Sequence, residues 1–587
     1  MTSTGVEVVG PRPIICVVDD VHRDLAMAEA VRHGRFTHVG VELDLGRTPD
    51  WLHDGLPDDV EWRIEWVKLY EGLDLAHAYV ITGDDDYLAT WEDLVRSFCA
   101  QVPVGTDPAD VSARRLQNWI YAWQRFAGAA QFTGLRPGLA ERLIERIAAD
   151  ADHLRRHLTK ERNHRTLELY ALLIVGLAFP DAYDDLAAFA LDELGRNLMD
   201  DVWVDGVHRE CSTDYHCIVL RSYLGAIANA RSASMELPSE FMERVSLALD
   251  FALHIQRPDG ITPSFSDGDE GDFRGVLRLG AELLDRDDLR WAASGGLAGT
   301  PPATWDATFP VGGYLTSRSG WGDGSTPFAD ECYMLMDAGP IGDGGHGHYD
   351  QLSLELFGHG RPLTVDPGRY TYADSPWRHV FKGSAAHNTV TIDGLDQTPY
   401  CHGKPKLGTS HARIIRRISS EELDAIEAEV VSPAHEAVHT RHVLFPQRRF
   451  WVVHDHLHGR NPHRYEARWH LPADAHEHMS VERSEHQTRV CMPAGCLVVP
   501  ASIEVEIEPG WVSPTYGVKQ PAPVVVLRAT AAVADFVTVL SPGADLVSLR
   551  DRSAGGLLQC TVQRADVFDT FEWSTTTDLI WNRQEMK

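Results

Sequence analysis

Positive charge is scarce in this chain. Lysine and arginine number 54 against 86 aspartates and glutamates, a formal net charge of −32. So acidic a surface excludes a general nucleic-acid or membrane-surface binder, and any acidic ligand must find a local basic pocket. No apolar run is long enough to read as a membrane span. The opening Met1-Thr2-Ser3-Thr4-Gly5-Val6-Glu7 has no basic segment ahead of an apolar core, so no secretory signal is expected. Cysteine is sparse too. The nine are odd in number, scattered and without a C-x-x-C pair, the usage expected of reduced thiols in a cytoplasmic protein. Cys211 and Cys217 read as small buried side chains. No fixed-period repeat is visible.

With 587 residues the chain has material for two or three domains with sizeable cores. Residues 1–60 mix short apolar runs with acidic patches and give no firm pattern. From Trp62 the period turns helical, through stretches such as 111–119, 139–158, 167–179, 186–198, 215–230 and 239–256. Short loops such as Leu135-Arg136-Pro137-Gly138 and Arg257-Pro258-Asp259-Gly260 separate them, which predicts antiparallel helical hairpins. A Gly/Pro-rich linker covers about 296–307. Beyond it, short alternating strands with turn signals predict an antiparallel sandwich. The expected organisation is a mixed segment 1–60, a helical domain 61–300 and a β domain 308–587.

One stretch concentrates chemistry: Gly342-Asp343-Gly344-Gly345-His346-Gly347-His348-Tyr349-Asp350. The alternating Gln351–Phe357 follows, then a Gly-His-Gly turn and Arg361–Gly368, which reads as a hairpin. On an extended chain His346 and His348 share a face. Pairing across Gly358–Gly360 returns Asp366 to the side of His348. Two imidazoles and a carboxylate would begin a zinc site or an acid/base site. His387, entering a new strand in Ala386-His387-Asn388-Thr389-Val390, is a third ligand candidate, with His402 and His411 as rivals.

Three further places stand out. Arg162-Asn163-His164-Arg165 opens a helix and offers an amide and an imidazole, with Asn163 suited to the cap. In Arg209-Glu210-Cys211-Ser212-Thr213-Asp214-Tyr215 a polar loop runs into an apolar helix, with Ser212 or Asp214 to cap it and Arg209 as a cation near Tyr215. The acidic Ser266–Asp272 lacks EF-hand spacing and reads as a solvated loop. Most remaining histidines, including those at 435–442 and 454–456, are expected to be surface or satisfied core groups.

These motifs, in order, resemble the heparinase II/III-like polysaccharide lyases, a superfamily that includes exolytic alginate lyases. The C-terminal signature lies in Gly345–Gln351, Val365–Gly368 and Ala386–Val390. Asn163-His164 and Glu210-x-Ser212-x-x-Tyr215 match the helical-domain motifs, with Arg165 departing from the smaller residue expected after Asn-His. The resemblance implies an (α/α) toroid followed by an antiparallel β-sandwich, and β-elimination at uronic acids. It implies that Asn163 and His164 engage the substrate carboxylate and that Tyr215 and His346 handle protons. It implies a mainly structural zinc on His348, Asp366 and His387. Arg209, Glu210, Arg369 and Tyr370 are assigned to substrate binding.

Elimination needs the uronate carboxylate neutralised by directed donors, in the manner of an oxyanion hole. It also needs a base for the proton beside it and an acid for the leaving oxygen. The expected partner is an acidic oligosaccharide of glycosaminoglycan or alginate type, cut from its end. No nucleic acid or membrane is expected, and a homodimer is left open. The alternatives are two-carboxylate hydrolysis on an α/α toroid, with Asp267 and Asp269 the nearest pair, and a binding protein that has lost catalysis.

Overall fold

The computed structural model describes residues 10–17, 23–53, 55–57, 60–183, 185–403, 408–543 and 547–585. The Met1–Glu7 opening lies outside the described residues. The chain divides into two compact units, one of Met1–Asp201 with Ile218–Val245 and one of Val202–Cys217 with Ser246–Lys587.

The first unit is helical. Long helices run over Asp85–Gln101, Ala109–Ala127, Leu139–Arg156, Arg162–Ala178 and Leu186–Asp201. In Ala109–Ala127, Leu116, Trp119, Ile120 and Trp123 recur at helical spacing and are buried. The early part of the chain, which gave no pattern, holds the helix Leu25–Arg32 and a small hairpin of Arg35–His38 with Val41–Asp44. Trp51 stacks on Trp66 with ring centroids 4.4 Å apart. Among the described residues no helix is long and apolar enough to cross a membrane.

The second unit is mainly antiparallel sheet. Five strands run from Ala307–Phe309 through Tyr314–Arg318, Tyr333–Asp337 and Leu354–Gly358 to Arg361–Thr364. A ten-stranded sheet is built around Trp451–His470 and Val518–Pro542, and a four-stranded sheet spans Val547–Glu585. Period two explains the layering. Met334 and Met336 share a core with Ile426, Val443, Trp451 and Val525 of the large sheet. The intervening Tyr333 and Leu335 pack instead with Phe251, Ile255 and Phe265. Both faces of Tyr333–Asp337 are therefore buried, which is why it shows little polar alternation. The other face of the large sheet, with Ala425, Leu444 and Val452, covers Cys560, Phe571 and Trp573 of the four-stranded sheet.

The expected hairpin forms, but its first strand begins at Leu354 rather than Gln351. Sequence reading missed the helix Pro376–Lys382, although it has a plain start signal. Ser375 caps it by accepting from Arg378 N, and Pro376 occupies its first turn. The cysteine expectation also needs correction. Cys491 and Cys496 stand opposite each other in a tight hairpin and form a disulfide with Cα atoms 4.2 Å apart. Their spacing of five resembles no metal or redox motif, so only strand register pairs them. Cys211 and Cys217 are buried, as expected, and stand outside the disulfide.

Candidate active site

Everything in the second unit's polar centre converges on Asp267. Its side chain is fully buried. His348 Nε2 lies 2.9 Å from Oδ1, and His346 Nδ1 lies 3.1 Å from Oδ2. Arg378 donates to both oxygens, with Nη2–Oδ2 at 2.7 Å. Burial alone would raise this carboxyl. The Arg378 charge and the two imidazole hydrogen bonds outweigh it and hold Asp267 well below the usual carboxylate range. The backbone adds a clamp, Asp267 N donating to His346 O at 2.9 Å. The expectation of a solvated loop at Ser266–Asp272 is therefore wrong for Ser266 and Asp267, both buried. A buried carboxylate forked by an arginine between two histidines leaves no mark in local sequence periodicity.

Ser212 ties this centre to the tyrosine. Its Oγ donates to Asp267 O at 2.6 Å and accepts from Tyr215 N at 3.2 Å. It is the cap of helix Thr213–Ser232, so Tyr215 is fixed on the first turn. The Tyr215 ring stacks on His346 with centroids 4.1 Å apart. With Nδ1 of His346 engaged by a carboxylate, the tautomer that protonates Nδ1 would leave Nε2 as an acceptor. Glu210, fully buried, stands 3.7 Å from Nε2.

Tyr215 Oη lies 2.9 Å from Tyr372 Oη. Arg369 donates to Tyr372 Oη and to Asp269 Oδ1, the latter at 3.0 Å. An arginine can only donate, so the Tyr372 hydroxyl is free to point its own proton at Tyr215. Burial pushes the Tyr215 phenol up, against the pull of the Arg369 charge and the Tyr372 bond. The cation beside Tyr215 is thus Arg369 rather than Arg209, which forks onto Asp343 instead, with Nε–Oδ2 at 2.8 Å. Tyr370 turns away with a left-handed backbone (φ +55°), and its Oη accepts from Lys519 at 3.2 Å.

A second cluster adjoins the first through His348. His348, Asp366 and His387 are buried, and their ligand atoms lie within 4.8 Å of one another. His387 Nδ1 is 2.8 Å from Asp366 Oδ2. Each imidazole thus has one nitrogen on a carboxylate. The other nitrogens, His348 Nδ1 and His387 Nε2, are buried without a hydrogen-bond partner, as is Asp350 Oδ2. Orphaned buried nitrogens are costly, and histidines oriented by carboxylates are how proteins present metal ligands. Burial holds His348 down to about 4, so its ring is neutral, the form that binds a metal. The set fits a divalent ion with nitrogen and oxygen ligands. His402 lies by Asp374, 3.9 Å away, and neither it nor His411 belongs to the group.

In the first unit, Asn163 and His164 lie on the opening turn of Arg162–Ala178. The cap position is Glu161, so Asn163 is not the cap; it is buried one position inside the turn. His164 Nδ1 is 3.7 Å from Asp110. Arg165 is committed to Thr159 O and Glu193, at 2.9 and 2.5 Å.

Two family models match the chain, heparinase II/III N-terminus over residues 16–288 and heparinase II/III-like, C-terminal, over 301–548. The chain belongs to the heparinase II/III-like family. The heparin-sulfate lyase of Pedobacter heparinus is 24% identical over 489 residues, 79% of this chain and 70% of that protein. The heparin-sulfate lyase of Bacteroides thetaiotaomicron is 22% identical over 65% of this chain and 57% of its own length, less than two thirds. The crystal structure of heparinase III superposes with a TM-score of 0.79 at 16% identity, over 98% of this chain and 93% of that one. At that identity the likeness is one of fold: a helical N-terminal domain followed by antiparallel sheets.

In this member of the heparinase II/III-like family, the structure brings together Tyr215 and His346, and groups His348, Asp366 and His387, all singled out by sequence reading. That reading weighed Asp267 only as half of a hydrolytic pair with Asp269, and it did not single out Tyr372 and Arg378. The signal for the last two was available in Arg369-Tyr370-Thr371-Tyr372 and Trp377-Arg378, an aromatic and arginine-rich run directly after the Asp366-Pro367-Gly368 motif.

Proposed function

We propose that this protein is a lyase that cleaves uronate-containing oligosaccharides by β-elimination. The observation that carries the reading is the Tyr215–His346 stack, with His346 oriented by the buried Asp267 and Tyr215 bonded to Tyr372. His346 Nε2 takes the proton from C5 of the uronate. The C5 electron pair forms the C4–C5 double bond, the C4–O4 bond breaks, and Tyr215 gives its proton to O4. Burial keeps the Tyr215 phenol protonated at neutral pH, which suits it to the acid role. The family motif, rather than any distance, assigns Asn163 and His164 to the carboxylate.

The names of the curated relatives make heparan-type glycosaminoglycan fragments the first substrates to test, with alginate oligomers beside them. Hydrolysis by Asp267 and Asp269 is disfavoured, because Asp267 is buried with both carboxylate oxygens taken up by Arg378 and two histidines. We assign zinc to His348, Asp366 and His387; it would fasten the segments that carry them. The deciding experiment follows ultraviolet absorbance on a panel of uronate oligosaccharides. New absorbance from an unsaturated uronate supports elimination. Saturated reducing ends alone from active protein end the proposal.

A further inference from the structure

Lys519 is an ammonium in an unusual setting. Its Nζ lies 4.3 Å from the ring centres of Tyr370 and Trp377 and 5.3 Å from that of Trp511. It donates to Tyr370 Oη at 3.2 Å. Among the described residues no carboxylate stands within 4.0 Å of it. Acidic groups outnumber basic ones 86 to 54 in this chain, and most arginines described here are paired with an acid. A cation held by three rings and by no anion is therefore an exception.

All four residues are half-buried, so the patch meets solvent. Its rings come from two places. Tyr370 and Trp377 alternate along the chain with Arg369, Tyr372 and Arg378, which face the reaction centre. Trp511 and Lys519 belong to the hairpin of Glu504–Thr515 and Val518–Pro542. The hairpin tip docks on the same segment, Gly517 N donating to Tyr370 O at 2.8 Å and Tyr516 Oη accepting from Tyr372 N at 2.9 Å. The left-handed backbone at Tyr370 sends its ring to Lys519 while Tyr372 goes to Tyr215. One short segment thus serves two sites side by side.

We propose that Lys519, Trp377, Trp511 and Tyr370 form a subsite for an acidic pyranose unit adjoining the one that is cleaved. The sugar's anionic group pairs with the Lys519 ammonium, which keeps two N–H donors after the bond to Tyr370. The apolar face of the ring lies against an indole. Rings that surround the ammonium fix its position, so little side-chain entropy is lost on binding. The shared chemistry is an anion on a pyranose, either carboxylate or sulfate. The inference rests on the lyase reading for the word "cleaved", but binding at the patch is separable from turnover.

The test measures both. Calorimetry with full-length protein reads the affinity for saturated uronate tetrasaccharides, sulfated and unsulfated, and for a neutral tetrasaccharide. Ultraviolet absorbance reads kcat and KM. Lys519→Met should weaken acidic-tetrasaccharide binding and raise KM about tenfold, with kcat at saturation within twofold and neutral binding unaffected. Lys519→Arg should restore most of the loss. A loss for both acidic ligands identifies the carboxylate as the partner, and a loss for the sulfated one alone identifies sulfate. If wild-type protein binds but gives no unsaturated product, the lyase reading fails while calorimetry still decides the subsite. Lys519→Gln repeats the measurement if Lys519→Met melts early. Wild-type affinity in a well-folded Lys519 variant, or an equal loss for the neutral sugar, overturns the proposal.

Discussion

In the proposed elimination the phenol of Tyr215 is the group on which the chemistry turns, and its surroundings set a sharp expectation. Burial raises its pKa, so the proton-bearing form persists as pH rises. Activity should therefore not fall on the alkaline side below about pH 9 through loss of this proton, given an ordinary tyrosine value of about 10. Tyr215→Phe should lower kcat about 10²- to 10⁴-fold at every pH, the range for a general acid, with KM little changed. A pH–rate profile of both proteins checks this; a Tyr215→Phe enzyme with near-normal kcat would remove the residue from the mechanism. Tyr372→Phe keeps the ring under Arg378 and loses only the hydroxyl bonded to Tyr215. A smaller loss in kcat is expected there. Tyr215 and His346 were legible because they stand in short motifs that resemble those of the family. The anchoring role of Asp267 was not, because what distinguishes it is a long-range partner, Arg378, 111 residues away.

At the scale of elements, the same contrast holds. The long helices and the Leu354–Thr364 hairpin were legible from periodicity and turn residues. The Tyr333–Asp337 strand was legible as a strand but its sides were not: with both faces covered, burial erases the alternation that would tell them apart. The candidate metal group joins three segments, the loop at His348, the chain just past strand Arg361–Thr364 at Asp366 and the approach to strand Val390–Ile392 at His387. Protein purified without chelator should carry about one divalent ion per chain. His387→Ala should lose it and melt at lower temperature, since a ligand that binds only the folded state stabilises it. Elemental analysis finding no stoichiometric metal would sink this. A separate acid-sensitive point lies in strand Trp451–His470. Glu466 accepts from Arg468 and Arg528 at 2.8 and 2.9 Å. Burial raises its pKa, but these bonds and charges bring it down to about 2. Since the folded value is below the unfolded one, the stabilisation is present above about pH 4.3 and is lost as pH falls toward 2. Glu466→Gln should cost about 1–2 kcal/mol at pH 7 and progressively less below pH 4, measured by urea unfolding at both ends.

For the molecule as a whole, charge decides how a substrate arrives. A net −32 repels a long polyanion, but only within about 8 Å at physiological salt. Steering therefore disfavours gathering an extended polymer along the surface and favours short acidic oligosaccharides that reach a local basic site. Arg369 and Arg378 supply such a site beside the two tyrosines, although both already have acidic partners in Asp269 and Asp267. The net local field is thus modest. On these grounds we expect exolytic action on short chains. Product sizes followed over time on a long uronate polymer give the answer. An exolytic enzyme releases one small product from the first minutes while viscosity falls slowly. Raising the salt from 20 to 200 mM (roughly a threefold shorter screening length) should increase kcat/KM on the long polymer more than on a tetrasaccharide, because repulsion acts on the polymer's many distant charges. An early ladder of intermediate sizes with rapid loss of viscosity would mean internal cutting. The acidic surface would then not govern access, and the cut would be set by the shape of the site alone.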